Sequence, residues 1–453
     1  MSLLIRNARL LDAASGRDEL GHLGLRGNRI DHVGTHAPAT DYADTLDAKG
    51  AWLVPGAIDL CARFREPGHT GKADFASETA AAFAGGITRF ALPPDTRPTL
   101  DTPAMVVRVL RISKAVRSPW VCPLGALTRD LAGDALAEMS ALKAAGCVAL
   151  SNGLQPLRDP LMARRALEYA HGLGLSIHVF AQDPALSGSG CAHEGAVATR
   201  LGLPSIPVAA EVSALRFWIS LVEDTGARVH FGRLSTARGA ELVATARERG
   251  LPVSADVAAH QLFLTDAAIE GFDARAHVMP PLRSHEDRDA LRAAVGSGVI
   301  ASVCSDHQPH EADAKIDPFP LTASGISGLE TLWPLVLRLV DEHLLSPLEA
   351  VARLTTGPAL ALGLPPPRLA EGAPADFALI EADTEWTLQA AALRSRGHNT
   401  PFDGWRFRHR VAGCWHDGVR RHEAVHVQDV ADYRVGFVAG QDTRRQLWHS
   451  PPD

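Results

Sequence analysis

The residues able to do chemistry recur at one kind of place in this chain, just after a short apolar run. Asp59-Leu60-Cys61-Ala62-Arg63-Phe64-Arg65 follows Trp52-Leu53-Val54, and Asp95-Thr96-Arg97-Pro98 follows Thr88-Arg89-Phe90-Ala91-Leu92. Asn152, Phe180, Arg233, His260 and Asp306-His307-Gln308-Pro309-His310 each follow a later run. Asp306 offers a carboxylate for acid–base work. Arg63, Arg65 and Arg233 suit an anion. With 20 histidines available, a metal site drawn from Cys61, His178, His230, His260 and Asp306 is a third reading. His178 and Phe180 lie two apart, so on a strand they share one face. The simpler reading of His178 is a hydrogen-bonded core histidine. Cys61 reads either as a low-pKa thiol beside Arg63 or as a small buried residue.

The elements that position these residues follow from alternation. Apolar runs such as Cys147-Val148-Ala149-Leu150, Ser176-Ile177-His178-Val179, Arg228-Val229-His230-Phe231, Pro252-Val253-Ser254 and Ile300-Ala301-Ser302-Val303-Cys304 are separated by Ala/Leu/Arg/Glu-rich stretches of helical period. Strand-then-helix repetition argues for parallel βα units. Seven or eight units over roughly 300 residues predict a (β/α)8 TIM-type barrel at residues 55–364, with its chemistry at the C-terminal ends of the strands. Both ends of the chain read as strands instead. They predict a small β-sandwich domain built from residues 1–54 and 365–426, followed by a C-terminal tail at 427–453.

Composition sets the outer limits. The 453 residues carry 45 Lys+Arg against 52 Asp+Glu, a net charge of −7 that leaves no basic footprint for nucleic acid or an anionic membrane. No run of about 18 apolar residues is present, so no membrane span is expected. The six cysteines are scattered without a C-x-x-C pair, which signals neither a zinc ribbon nor a disulfide framework. The first residues show no charged segment followed by an apolar stretch, and a cytoplasmic location is expected.

Several blocks carry a family resemblance. Arg65-Glu66-Pro67-Gly68 matches R-E-P-G, and Asp95-Thr96-Arg97-Pro98 resembles N-T-R-P. Pro280-Pro281-Leu282-Arg283 matches P-P-L-R, and Asp306-His307-Gln308-Pro309-His310 resembles D-H-A-P-H. Gly325-Ile326-Ser327-Gly328-Leu329-Glu330 resembles G-I-x-G-L-E, and Asn399-Thr400-Pro401-Phe402 matches N-T-P-F. From about Pro55 to Gly418 the chain resembles the dihydroorotase branch of the amidohydrolase family. The resemblance implies the reversible closure of carbamoyl aspartate to dihydroorotate, with zinc activating a water and polarising the ring carbonyl. It implies Asp306 as the acid–base group, and Arg65, Asp95 and His310 at the positions that hold substrate.

The metal positions depart from that pattern. The family's His-x-His after the first strand is Cys61 and Arg63 here. Its carboxylate after Ala149-Leu150-Ser151 is Asn152, and its remaining histidines are Phe180 and Arg233. Arginine stays protonated and has no lone pair to offer a metal. At ~4 Å and an effective dielectric of ~20, each guanidinium would oppose a cation by on the order of 4 kcal/mol. No zinc or other cofactor is therefore expected, and a structural network between Asp306, Arg63 and Arg233 is. The resemblance extends to inactive dihydroorotase-like chains that assemble with the aspartate carbamoyltransferase catalytic chain. It implies that partner, a homo-oligomer, and a role in pyrimidine synthesis without turnover. An active cyclic amidase, with a displaced metal site or metal-free chemistry, is one alternative. An anion- or nucleotide-sensing module at Arg63, Arg65 and Arg233 is another.

Overall fold

The computed structural model describes residues 2–424. The predicted tail at 427–453 and the last two residues of the predicted small domain lie outside the described residues. Eight parallel strands hydrogen-bond in chain order: Ala57–Asp59, Ile87–Leu92, Trp120–Ala126, Ala149–Ser151, Ile177–Phe180, Val229–Gly232, Val253–Ala258 and Ser302–Cys304. A parallel bridge from Ala62 to His307 joins the last to the first and brings the barrel to closure. Helices follow the strands, as in Phe75–Ala84, Pro103–Val116 and Ala237–Glu248. Their buried faces and the strand side chains form one large core around Phe64, Phe75, Phe90, Phe231 and Trp333.

Two details differ from the sequence reading. The run Trp52-Leu53-Val54 is not the first barrel strand. Trp52–Pro55 pairs antiparallel with Phe377–Glu381 in the small domain, and the first barrel strand is Ala57–Asp59. The third barrel strand, Trp120–Ala126, was absent from that reading. Pro123 and Gly125 interrupt its apolar pattern, and both residues are poor strand signals.

The small domain is built from both ends of the chain. Its strands run in the order Val419–Glu423, Arg410–His416, Phe377–Glu381, Trp52–Pro55, Ser2–Asp12, Arg17–Arg26 and Arg29–Gly34, with Asp44–Asp47 beside Ser2–Asp12. It has a hydrophobic cluster of its own, including Ile5, Leu10, Leu23, Leu25, Phe377 and Trp415. The first strand buries Leu3 and Ile5, then Ala8 and Leu10. The change of parity follows a register shift between Ile5 and Ala8, where Asn7 takes φ +55°. An inserted residue moves the later side chains to the other face, and here it keeps them on the core. No helix among the described residues is long and apolar enough to cross a membrane.

Candidate functional site

At the C-terminal end of the barrel, Asp306 follows the eighth strand with φ +45° and is almost fully buried. Arg233, after the sixth strand, donates from Nη1 to its Oδ1 at 3.1 Å. Arg63, after the first strand, donates from Nη1 to the same oxygen at 3.5 Å. Gln308 Nε2 stands 3.3 Å from both carboxylate oxygens, and the Cys61 thiol donates to Oδ1 at 3.3 Å. The carboxylate is thus enclosed by two guanidiniums, an amide and a thiol.

The second carboxylate is also spoken for. Arg63 Nε donates to Asp95 Oδ2 at 2.9 Å. Burial pushes the Asp95 carboxyl up, but Arg63 outweighs it and holds the group below the usual carboxylate range. Burial likewise opposes the charge on Arg63, and Asp95 and Asp306 more than restore it. Arg233 is held above its ordinary value in the same way, and its guanidinium carbon sits 4.7 Å over the Phe180 ring. Burial pushes the Cys61 thiol up to about 12 despite Arg233 and Arg63, so it is a buried neutral thiol rather than a nucleophile.

The expected substrate-binding positions contact one another. Arg65, at φ +60°, donates from Nε to the Pro309 carbonyl at 3.2 Å, and its Nη2 lies 2.9 Å from His310 Nε2. Lys72 Nζ lies 3.0 Å from His310 Nδ1. Burial first, then Arg65 and Lys72, depress the His310 imidazole to about 2. Burial pulls Arg65 down to about 10. The cavity that touches Arg63, Arg65 and Asp95 measures about 10 Å³, room for about one water.

The donor set does not fit zinc. Asn152 accepts from Thr128 Oγ1 at 2.8 Å and donates to the Leu131 and Gln155 carbonyls, so its amide braces a loop. Phe180 offers no lone pair. The displaced site drawn from Cys61, His178, His230, His260 and Asp306 does not assemble either. His230 Nε2 and Nδ1 are taken by Asp256 and Ser254, at 2.8 Å each. The His178 ring packs 4.7 Å from that of His230. Among the described residues no group of three His, Cys, Asp or Glu side chains could hold a metal ion. Burial depresses His178 to about 3 and His260 to about 4, so both are neutral core histidines.

The retained sequence blocks have a different job. Arg283 is buried, donating to Ser235 Oγ at 3.1 Å and to the Ile206 carbonyl at 2.7 Å. Asn399 accepts from the His310 N–H at 2.9 Å and donates to the Gln308 and Gly325 carbonyls at 3.0 and 2.9 Å. These blocks fasten the loops of the barrel mouth. Sequence reasoning missed three buried carboxylates. Glu78 takes His307 Nε2 at 2.8 Å, Asp256 takes His230, and Glu211 takes the N–H and hydroxyl of both Ser235 and Thr236. Each lies on an element far along the chain from its partner, and none sits in a readable motif.

The comparisons with known proteins place the fold and the family. The family described as dihydro-orotase-like matches residues 50–238, and the amidohydrolase family matches residues 193–420. The chain is 46% identical over 423 residues to a dihydroorotase-like protein of Pseudomonas aeruginosa, covering 93% of this chain and 100% of that one. It is 42% identical over 418 residues to a protein named dihydroorotase in Syntrophotalea carbinolica, covering 92% and 98%. Among solved structures it superposes on the L-hydantoinase (dihydropyrimidinase) of Arthrobacter aurescens with a TM-score of 0.82 at 21% identity, covering 93% and 96%. That last likeness shows the fold alone. The chain belongs to the dihydroorotase-like branch of the amidohydrolase family.

Proposed function

We propose that this protein is a non-catalytic member of its family, a structural subunit that supports aspartate carbamoyltransferase in pyrimidine synthesis. One observation carries the reading. Two buried guanidiniums, Arg63 and Arg233, point at Asp306 where the family's chemistry requires a cation. Amide hydrolysis at neutral pH needs an activated water and stabilisation of a developing oxyanion. The neutral Cys61 thiol, the neutral His310 and the paired Asp306 supply neither.

A protein partner is supported by the mouth of the barrel. Phe272, Ile316 and Leu321 are exposed there, the last two by 77% and 72%. They lie on two segments tied together by Lys315 Nζ to the Ala274 carbonyl at 3.0 Å. Exposed apolar side chains on loops joined in this way favour a surface that another protein covers.

Co-expression with the carbamoyltransferase catalytic chain tests the reading. The two are expected to co-purify, Ile316→Asp with Leu321→Asp is expected to separate them, and the isolated chain is expected not to turn over dihydroorotate. Protein purified without chelator is expected to hold far less than one zinc per chain and to keep its melting temperature in EDTA. Turnover at ordinary enzymatic rates, or stoichiometric zinc lost on Asp306→Ala, would overturn it.

A further inference from the structure

A much larger cavity lies beside the Asp306 cluster. It measures about 620 Å³ and lies between the loops that follow the fourth and fifth barrel strands and the helix Val208–Thr225. This is the size of a small-molecule site. Its aromatic surface comes from Trp218, Phe217 and Phe180. Trp218 and Phe217 meet edge to face with centroids 5.6 Å apart.

Two of the family's former ligand positions build this space. Asn152 holds the loop of one wall by its three hydrogen bonds. Phe180 separates the cavity from Arg233, whose guanidinium carbon stands 4.7 Å from its ring centre. The opposite wall is fixed where the Asp183 N–H donates to the Ala210 carbonyl at 2.8 Å. Walls held this way lose little freedom when a ligand enters.

The polar groups around the cavity divide into used and unused. Asp159 and Asp183 accept backbone N–H groups as helix N-caps, from Leu161 and from Ala185 and Leu186 respectively. By contrast, the Arg158 guanidinium, the Gln182 carboxamide and the Trp218 indole N–H have no hydrogen-bond or ion-pair partner among the described residues. His178, neutral and bonded through Nε2 to the Ala361 carbonyl at 3.3 Å, adds the edge of its ring. Stacking surface, an amide that both donates and accepts, and a guanidinium held in no ion pair, with the Asp183 carboxylate turned to its helix N-cap, describe a single ligand chemistry.

We infer that this cavity binds a planar heteroaromatic ring carrying an anionic group, the ring against Trp218 and Phe217, its polar edge on Gln182, and the anion at Arg158. The site is independent of catalysis and of the proposed carbamoyltransferase contact. It gives a chain without turnover a way to sense a metabolite, through Phe180 and the Arg233–Asp306 pair behind it.

Isothermal titration and thermal shift on the full chain test it. The probes are a purine and a pyrimidine nucleoside monophosphate, indole-3-carboxylate, the uncharged nucleobases, and inorganic phosphate. At least one ring-bearing anion is expected to bind and raise the melting temperature, with phosphate alone silent. Arg158→Ala is expected to weaken that anion about tenfold while leaving an uncharged ring unaffected. Ala214→Phe fills the cavity from the helix Val208–Thr225 and is expected to abolish binding with an unchanged circular dichroism spectrum. If that variant fails to fold, Gln182→Ala and Arg158→Ala at the rim decide, both expected to weaken binding. No binding by any probe at millimolar concentration, binding by phosphate alone, or affinity indifferent to these substitutions overturns the inference.

Discussion

Asp306, Arg233 and Arg65 all hold left-handed backbone conformations, with φ of +45°, +59° and +60°. For a residue with a side chain this costs about 1–3 kcal/mol and is tolerated where a side chain must be aimed at something. Here the aimed groups compensate one another. Two guanidiniums, Arg63 and Arg233, meet two carboxylates, Asp95 and Asp306, while Arg65 turns to the Pro309 carbonyl and His310. The backbone at Asp306 aims its carboxylate at two guanidiniums. Asp306→Asn removes that counter-ion and leaves Arg233 buried without a charge partner. Breaking a buried pair from one side costs about 3–5 kcal/mol, and urea denaturation is expected to show a loss in that range. A loss below about 1 kcal/mol, the size of an exposed pair, would mean that the cluster is not held by this carboxylate.

At the scale of elements, the mouth of the barrel is fastened by side chains that grip backbone. Glu211, near the start of the helix Val208–Thr225, receives four hydrogen bonds of 2.6–3.0 Å from Ser235 and Thr236. Thr236 in turn caps the helix Ala237–Glu248. One carboxylate therefore locks two neighbouring βα units together, with Arg283 joined through Ser235 Oγ. Glu211→Ala leaves these donors buried and unpaired, so a loss of about 3 kcal/mol or more is expected in equilibrium unfolding. Glu211→Gln keeps an acceptor and is expected to lose less. Equal losses for the two would assign the effect to charge instead of hydrogen bonding. Such fasteners were only half legible in the sequence. Arg283 and Asn399 stood in recognisable blocks, whereas Glu211, Glu78 and Asp256 sit in helical or strand text that reads as ordinary. Their role exists only because the barrel brings distant units side by side. The same limit hid Trp218 and the cavity beside it, since an aromatic at helical spacing looks like core.

For the whole molecule, the order of strands and helices was legible because a parallel barrel writes the same apolar-run-then-helix pattern many times. The run at Trp52 was misplaced because a buried strand looks alike in either sheet, and only pairing with Phe377–Glu381 assigns it. The absence of zinc ligands at the family's positions was legible residue by residue. What replaced them was visible only as a charge pattern until the distances were known. Burial of so many neutral imidazoles has a consequence for the entire fold. His178, His260, His277, His310 and His422 are depressed to about 3, 4, 4, 2 and 4, chiefly by burial. Asp59 and Glu330 are raised to about 7, again chiefly by burial. A histidine whose folded value is depressed contributes stability that is present above its unfolded value of about 6.5 and is lost as pH falls toward the folded value. A carboxylate whose folded value is raised contributes stability that is present below about 4 and is lost as pH rises through the folded value near 7. Near pH 5.5, unfolding takes up five protons on these histidines and releases two from these carboxylates. The net uptake of about three protons corresponds to a slope of about 4 kcal/mol per pH unit. The urea midpoint is therefore expected to climb steeply from pH 5 to a maximum near roughly pH 6.5 and then level or fall slightly. His260→Asn and Asp59→Asn are expected to change the slope in opposite directions, the first making it shallower and the second steeper. A midpoint that is flat across this window, or that falls as pH rises from 5 to 6, would show that these imidazoles are not kept neutral by burial in the native fold.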